Sequence, residues 1–370
     1  MPCDFQQLPH QGIQTLEPYI PGKSIDELAN ELGLTDIIKL ASNENPFGTS
    51  PSVLKALASM SGIDLATYAI ASNHPLRQKL ADKWGVPKDM LLLGNGSDAL
   101  IPLLQLSFAL HTNKHILTHQ YAFIAYQIHA KTLGIPVVTT PVQANWQVDI
   151  DAMIQSCHSK TALIFLANPN NPTGVSIAPL EIERLLQQIP EETILVLDEA
   201  YYEFTDPSQQ FNAISALKKY PNLVVTRTFS KAYGLAGLRL GYLIANPQII
   251  PILLRALPPF TVNQAALVAG FTALDDTSFL KTTLDNNKAG VEQIQKAFDE
   301  LKIDYIKTSA NFILFQCKND SLKLYKNLQA CGIIVRPLHP YGLNNHLRVT
   351  IGTPLQNSRF LDKLKEFYYD

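Results

Sequence analysis

The sequence predicts an α/β fold: mostly parallel strands covered by helices on both faces, followed by a smaller α+β unit. Three observations predict it. From about residue 50, short apolar runs alternate with segments of helical period. Polar motifs sit at the downstream ends of several of those runs. Near residues 250–262 the texture changes, with prolines at 251, 258 and 259. A chain of 370 residues has room for two or three domains at roughly 100–200 residues each. The expected division is an N-terminal arm at 1–45, a large domain at 46–255 and a small domain at 256–370.

The arm is polar, with one helix over Ser24–Leu34: Ser24 is an N-cap, Glu27 completes a capping box, and Gly33 lies near the end. MLLLG (90–94) reads as a strand and 98–110 as a helix. HILTH (115–119) is a strand, 121–134 a helix ending at a glycine, and 135–140 and 162–168 are strands. A helix over 179–189 leads to strands at 193–201, 222–230 and 240–245. The small unit reads as helices at 276–301 and 320–330 with strands at 311–317, 332–337 and 346–352.

Composition narrows the function classes. Hydrophobic residues at 46% and charged residues at 17% exclude disorder. Lys+Arg of 30 against Asp+Glu of 32 gives a net charge of -2, which provides no basic footprint for nucleic acid and no polybasic attraction to a membrane. No apolar run approaches the ~18 residues of a membrane helix. The opening MPCDFQQLPHQG lacks the pattern of a secretory signal. Cys3, Cys157, Cys317 and Cys331 form no close pair, so reduced thiols in the cytoplasm are expected.

Four motifs carry chemistry. GNGSDA (94–99) follows a strand and opens a helix, where backbone N–H groups can cradle a phosphate; a structural turn is the other reading. A dinucleotide site would need an acid about 20 residues on, and none occurs from Ala99 to Val148. In SKAYGLAGLRLG (230–241), Lys231 is either a solvated surface residue or a desolvated Schiff-base nucleophile. Thr228, Ser230 and Arg239 could serve a phosphate beside it. In DEAYYEF (198–204), Asp198 ends an apolar strand; a buried carboxylate needs a positive partner, such as a protonated pyridine nitrogen, or backbone donors. NPNNPTG (168–174) is a tight turn in which Asn171 could donate to a phenolate-like oxygen. His111, His115 and His119 are spaced like ligands on a helix, but 115–119 reads as a strand, so no metal site is expected.

Together the motifs resemble the fold type I pyridoxal-phosphate aminotransferases: NPTG, then DEAY, then Ser-Lys with an arginine eight residues later. EPYIPGKSIDELANELGL (17–34), KLASNENPFG (39–48), GIIVRPL (332–338) and LRVTIGT (347–353) are similar to the histidinol-phosphate aminotransferase family within that group. The resemblance spans nearly the whole chain. It implies a large domain with a mostly parallel seven-stranded sheet between helices, a small C-terminal domain, pyridoxal 5'-phosphate as cofactor, and a homodimer with shared sites. Lys231 would carry the cofactor, Asp198 would pair with its ring nitrogen, and Asn171 and Tyr201 would bond its phenolic oxygen. Gly96, Ser97, Asp98, Thr228, Ser230 and Arg239 would hold its phosphate, and Tyr121 would stack on the ring. Tyr68 would reach the neighbouring subunit's cofactor. Tyr19, Asn43, Arg336 and Arg348 would face substrate. Two departures stand out: the usual Tyr-Pro-Asp is Tyr68-Ala69-Ile70, and the usual proline before the stacking aromatic is His119.

The implied reaction moves an amino group from histidinol phosphate to 2-oxoglutarate, giving imidazole acetol phosphate and glutamate, in histidine biosynthesis. An aromatic amino acid aminotransferase and a phosphothreonine decarboxylase are the alternatives on the same core; a non-catalytic regulator would need a DNA-binding extension that the sequence lacks.

Overall fold

The computed structural model describes residues 3–18 and 22–368. Twelve strands follow in chain order among the described residues: β1 (Ile38–Lys39), β2 (Leu91–Asn95), β3 (His115–His119), β4 (Val137–Thr140), β5 (Thr161–Ala167), β6 (Ile194–Asp198), β7 (Leu223–Thr228), β8 (Leu240–Ala245), β9 (Phe312–Gln316), β10 (Ile333–Ile334), β11 (Arg336–Leu338) and β12 (Leu343–Thr350). Seven of them form the central sheet in the order β2-β8-β7-β6-β5-β3-β4. Six run parallel and β8 runs against both neighbours. The reason is the connection: residues 229–239 hold one short 3-10 turn, Ala236–Leu238, and no crossover helix, so the chain can only return antiparallel.

Alternation along each strand sends side chains into two layers. On β6, Leu195 and Leu197 enter one core, and Ile194 and Val196 the other. Both faces are therefore apolar until the strand ends, where polar side chains begin. The smaller unit packs the antiparallel sheet β11-β12-β9 against the helices Ser321–Ala330 and Pro354–Phe367 and the far end of Thr277–Glu300.

Three expectations shift. The run 332–337 is not one strand: β10 pairs with β1 in parallel, while β11 joins β12. The helix expected at 121–134 is Ala125–Thr132, because Tyr121 sits at a left-handed φ of 60° and starts a turn. Past the expected boundary at 255, the helix Gln264–Ala273 buries Ala266, Leu267, Ala269 and Ala273 in the core beneath the central sheet, and Leu280 of the following helix packs on the same core.

The arm divides in two. His10 Nε2 lies 3.0 Å from the Thr132 carbonyl at the end of a large-domain helix. The helix Ile25–Leu32, with its Ser24–Glu27 capping box and Gly33 at φ 67°, leads into β1 on the small unit. Among the described residues, no helix is long and apolar enough to cross a membrane.

Candidate active site

The carboxyl ends of β5, β6 and β7 open into a cavity of about 260 Å³, the position at which open α/β sheets bind ligands. Asp198 is its buried floor. One carboxylate oxygen accepts a 2.8 Å bond from the Tyr126 hydroxyl, and the other a 3.1 Å bond from Thr226 Oγ1. Burial raises its pKa against the opposing pull of those two bonds. Such a carboxylate is costly alone and favours a positive partner. The next residues point the other way: Glu199 pairs with Arg227 at 2.6 Å beneath the sheet, and the guanidinium lies between the rings of Trp84 and Tyr202.

Lys231 follows β7 and is half-buried, its Nζ donating to the Ser42 carbonyl at 3.0 Å. Burial, together with the nearby cations Arg348, Arg239 and Lys39, lowers its pKa to about 8, although Glu44 opposes them. The amine is thus poised to act as a nucleophile near neutral pH.

The turn 95–99 between β2 and the helix Leu100–Phe108 lines one wall with Ser97 and Asp98. Two close approaches shape it. Gly96, at φ 75°, lies so near the Arg239 guanidinium that a Cβ would be 2.6 Å from its Nη2. At Gly241 on β8, a Cβ would stand 2.2 Å from the Ser97 backbone nitrogen. Burial alone would raise the Asp98 pKa, but a 3.4 Å contact to His129 and the nearby Arg239 prevail, and the carboxyl is lowered. Thr228 Oγ1 accepts from the Ser230 N–H at 3.1 Å, so both hydroxyl residues are held at the wall.

The small unit closes the other side. Arg348, on β12, donates to Asn171 Oδ1 and to the Ala41 carbonyl at 2.7 Å. Arg336, on β11, is its register partner and also lines the cavity. Asn43, buried with φ 56°, donates to the Tyr201 hydroxyl at 2.8 Å and accepts from Thr350 Oγ1 at 3.1 Å. Four cationic side chains (Lys231, Arg239, Arg336, Arg348) and two carboxylates (Asp98, Asp198) therefore line the cavity, an excess of positive charge suited to anionic ligands.

The structure brings together Asn43, Ser97, Asp98, Asn171, Asp198, Tyr201, Thr228, Ser230, Lys231, Arg239, Arg336 and Arg348. Gly96 stands one layer back, behind Arg239. Tyr121 does not line the cavity: its ring packs on Trp146, 5.4 Å between centroids, because the left-handed backbone turns it away. Phe123, two residues on, lines the cavity instead. Tyr68 is 79% exposed and stacks on Phe260 at 4.4 Å, away from this chain's own cavity. Tyr19 lies outside the described residues. The sequence reading passed over Tyr126, Phe123 and Tyr341. The first is the buried donor that orients Asp198, and its only trace in the sequence was an aromatic on an apolar helix face.

Comparison with known proteins agrees with this geometry. The sequence profile of aminotransferase class I and II matches residues 35–364. A protein named histidinol-phosphate aminotransferase 2 from Legionella pneumophila (strain Lens) is 56% identical over 368 residues, covering 100% of both chains. One of the same name from Haemophilus influenzae (strain ATCC 51907 / DSM 11121 / KW20 / Rd) is 41% identical over 98% of each. The solved histidinol-phosphate aminotransferase of Sinorhizobium meliloti, in complex with pyridoxal-5'-phosphate, superposes with a TM-score of 0.86 at 26% identity, covering 97% of each chain.

Proposed function

Because the chain belongs to the aminotransferase class I and II family, we propose that it transfers the amino group of histidinol phosphate to 2-oxoglutarate, giving imidazole acetol phosphate and glutamate, as a step of histidine biosynthesis. The observation that carries the reading is one cavity uniting a lysine of lowered pKa, a buried carboxylate and two small-domain arginines. The names of the similar Legionella and Haemophilus proteins support the donor.

The residues fit pyridoxal 5'-phosphate. Asp198 lacks a positive partner among its hydrogen bonds and would receive a protonated ring nitrogen. Gly96 lets the Arg239 guanidinium pack tightly against the turn, and Arg239 with Ser97, Thr228 and Ser230 on the cavity wall suits a phosphate. Asn171 and Tyr201 would bond the ring oxygen, and Phe123, in place of Tyr121, would cover the ring face. When bound, the cofactor supplies an electron sink for the carbanion formed at the amine-bearing carbon. Lys231 Nζ, its pKa lowered by burial and neighbouring cations, would take the proton from that carbon and deliver it to the cofactor carbon. Asp198, held by Tyr126 and Thr226, would keep a proton at the ring nitrogen. Arg336 and Arg348 bind the donor's phosphate and, in turn, the carboxylate of the keto acid, since a planar fork accepts either anion.

The exposed Tyr68–Phe260 stack, with Ile63, Leu65 and Ile70 also exposed in the same stretch of chain as Tyr68, supports a homodimer in which Tyr68 serves the neighbouring site. Four cysteines without disulfides support a reducing cytoplasm. The test compares histidinol phosphate, phenylalanine and tyrosine as donors to 2-oxoglutarate. Histidinol phosphate is expected to have the highest kcat/KM; preference for the aromatic amino acids would replace the assignment.

A further inference from the structure

Tyr201 lines the cavity from the segment just after β6, yet both ends of its side chain rest on groups from elsewhere. Its ring meets Phe312 of β9 edge-on, 5.2 Å between centroids, and packs beside Ala310. Its hydroxyl oxygen accepts a 2.8 Å bond from Asn43 Nδ2. The small unit grips Asn43 at each of its other polar atoms. The Asn43 N–H donates to Thr350 Oγ1 at 3.0 Å, and that hydroxyl gives its own proton to Asn43 Oδ1 at 3.1 Å. Asn311 Nδ2 donates to the Asn43 carbonyl at 3.0 Å. With its side-chain oxygen committed to Thr350, Asn43 turns its amide NH2 to Tyr201. The backbone sits at φ 56°, a conformation that asparagine tolerates better than most residues. A side chain this buried, and bonded at every polar atom, is built to fix a neighbour.

Resting on the reading that Tyr201 bonds the cofactor's ring oxygen, we infer that Asn43 is a positioning residue acting through Tyr201: its amide holds the phenol hydroxyl at that oxygen, so the small unit fixes the geometry of a group on the large one. The bond uses the phenol oxygen as acceptor and holds whichever way the Tyr201 proton points. A phenol whose oxygen receives a hydrogen bond is also the stronger donor. A donor at the ring oxygen favours its anionic form. Loosening Tyr201 therefore raises the pH at which the visible absorbance of the lysine-bound cofactor changes.

A double-mutant cycle, read as the pH midpoint of that absorbance in the pyridoxal 5'-phosphate-loaded protein, tests this. Asn43→Gly removes the amide without straining the left-handed backbone. The midpoint is expected to rise by about half a unit to one unit, the scale of one hydrogen bond. Tyr201→Phe should raise it by itself, and adding Asn43→Gly to Tyr201→Phe should then move it by less than about 0.3 unit. Thr350→Val keeps the side-chain shape but loosens Asn43, and should give a smaller rise that also vanishes without the Tyr201 hydroxyl; it decides the matter if Asn43→Gly does not fold. A purely structural role would shift both backgrounds alike. Equal shifts in the two backgrounds, or none in wild type, overturn the inference while leaving Tyr201 at the ring oxygen. A Tyr201→Phe midpoint equal to that of wild type overturns both.

Discussion

Lys231 and Asp198 draw their chemistry from opposite effects of the same burial. Desolvation lowers the amine to about 8 and raises the carboxyl, so each is moved away from its charged form. Lys231→Ala is expected to cut transamination by at least about 10²–10⁴-fold, the scale of a lost acid–base group; coupled assay of glutamate formation checks it, and retained multiple turnover would contradict the role. His119 shows the same physics outside the chemistry. Burial lowers its pKa to about 4 from an ordinary 6.5, while its Nδ1 lies 2.8 Å from the Gln120 carbonyl. The folded state holds it neutral, whereas the unfolded chain takes up a proton below about 6.5. Its contribution is therefore intact above pH 6.5 and lost as pH falls toward 4, by up to about 3 kcal/mol. His119→Gln should flatten that part of the profile in thermal melts taken between those pH values.

At the scale of elements, the sheet uses its two faces for different work. Asp198 and Thr226 meet on the cavity side, while their neighbours Glu199 and Arg227 form a buried ion pair on the other, fastening β6 to β7. Arg227→Met leaves a buried carboxylate without its cation and is expected to cost about 3–5 kcal/mol, read as a lowered urea midpoint. The approach of β8 to the turn 95–99 is just as demanding. Gly241→Ala would drive a methyl into the backbone of Ser97 and Gly96, and either strand or turn must move. The expected result is weaker binding of pyridoxal 5'-phosphate, measured by absorbance titration of the cofactor-free protein, with secondary structure kept by circular dichroism.

At the scale of the whole molecule, the site exists because two units meet. The large unit contributes Asp198 and Lys231, the small one Arg336 and Arg348, and the segment after β1 contributes Ser42 and Asn43 between them. Asn311 Nδ2 donates to the Asn43 carbonyl at 3.0 Å, and the Ser309 N–H to the Gly174 carbonyl at 2.8 Å, so the seam is bonded on both sides. The proposed dimer extends the same principle beyond one chain. Phe260→Asp places a charge in the exposed aromatic stack with Tyr68 and is expected to shift the mass seen by light scattering from dimer toward monomer, with a loss of activity that follows the dissociation. A wild-type monomer would remove Tyr68 from the site.

Local chemistry was legible from the order of residues alone. The period of apolar runs announced the strands, the Ser24–Glu27 pair announced a cap, and Asp198 and Lys231 stood out as charges at the ends of apolar runs. These features depend on neighbours a few positions apart, where sequence and geometry coincide. What the tertiary structure decided depends on residues far apart in the chain. It turned Tyr121 onto Trp146 and gave its place to Phe123, placed Tyr126 under Asp198, split 332–337 between two sheets, and drew 264–273 into the large core. Each was settled by packing against partners that local periodicity does not encode, since a left-handed residue or a shared core redirects side chains whatever their order predicts.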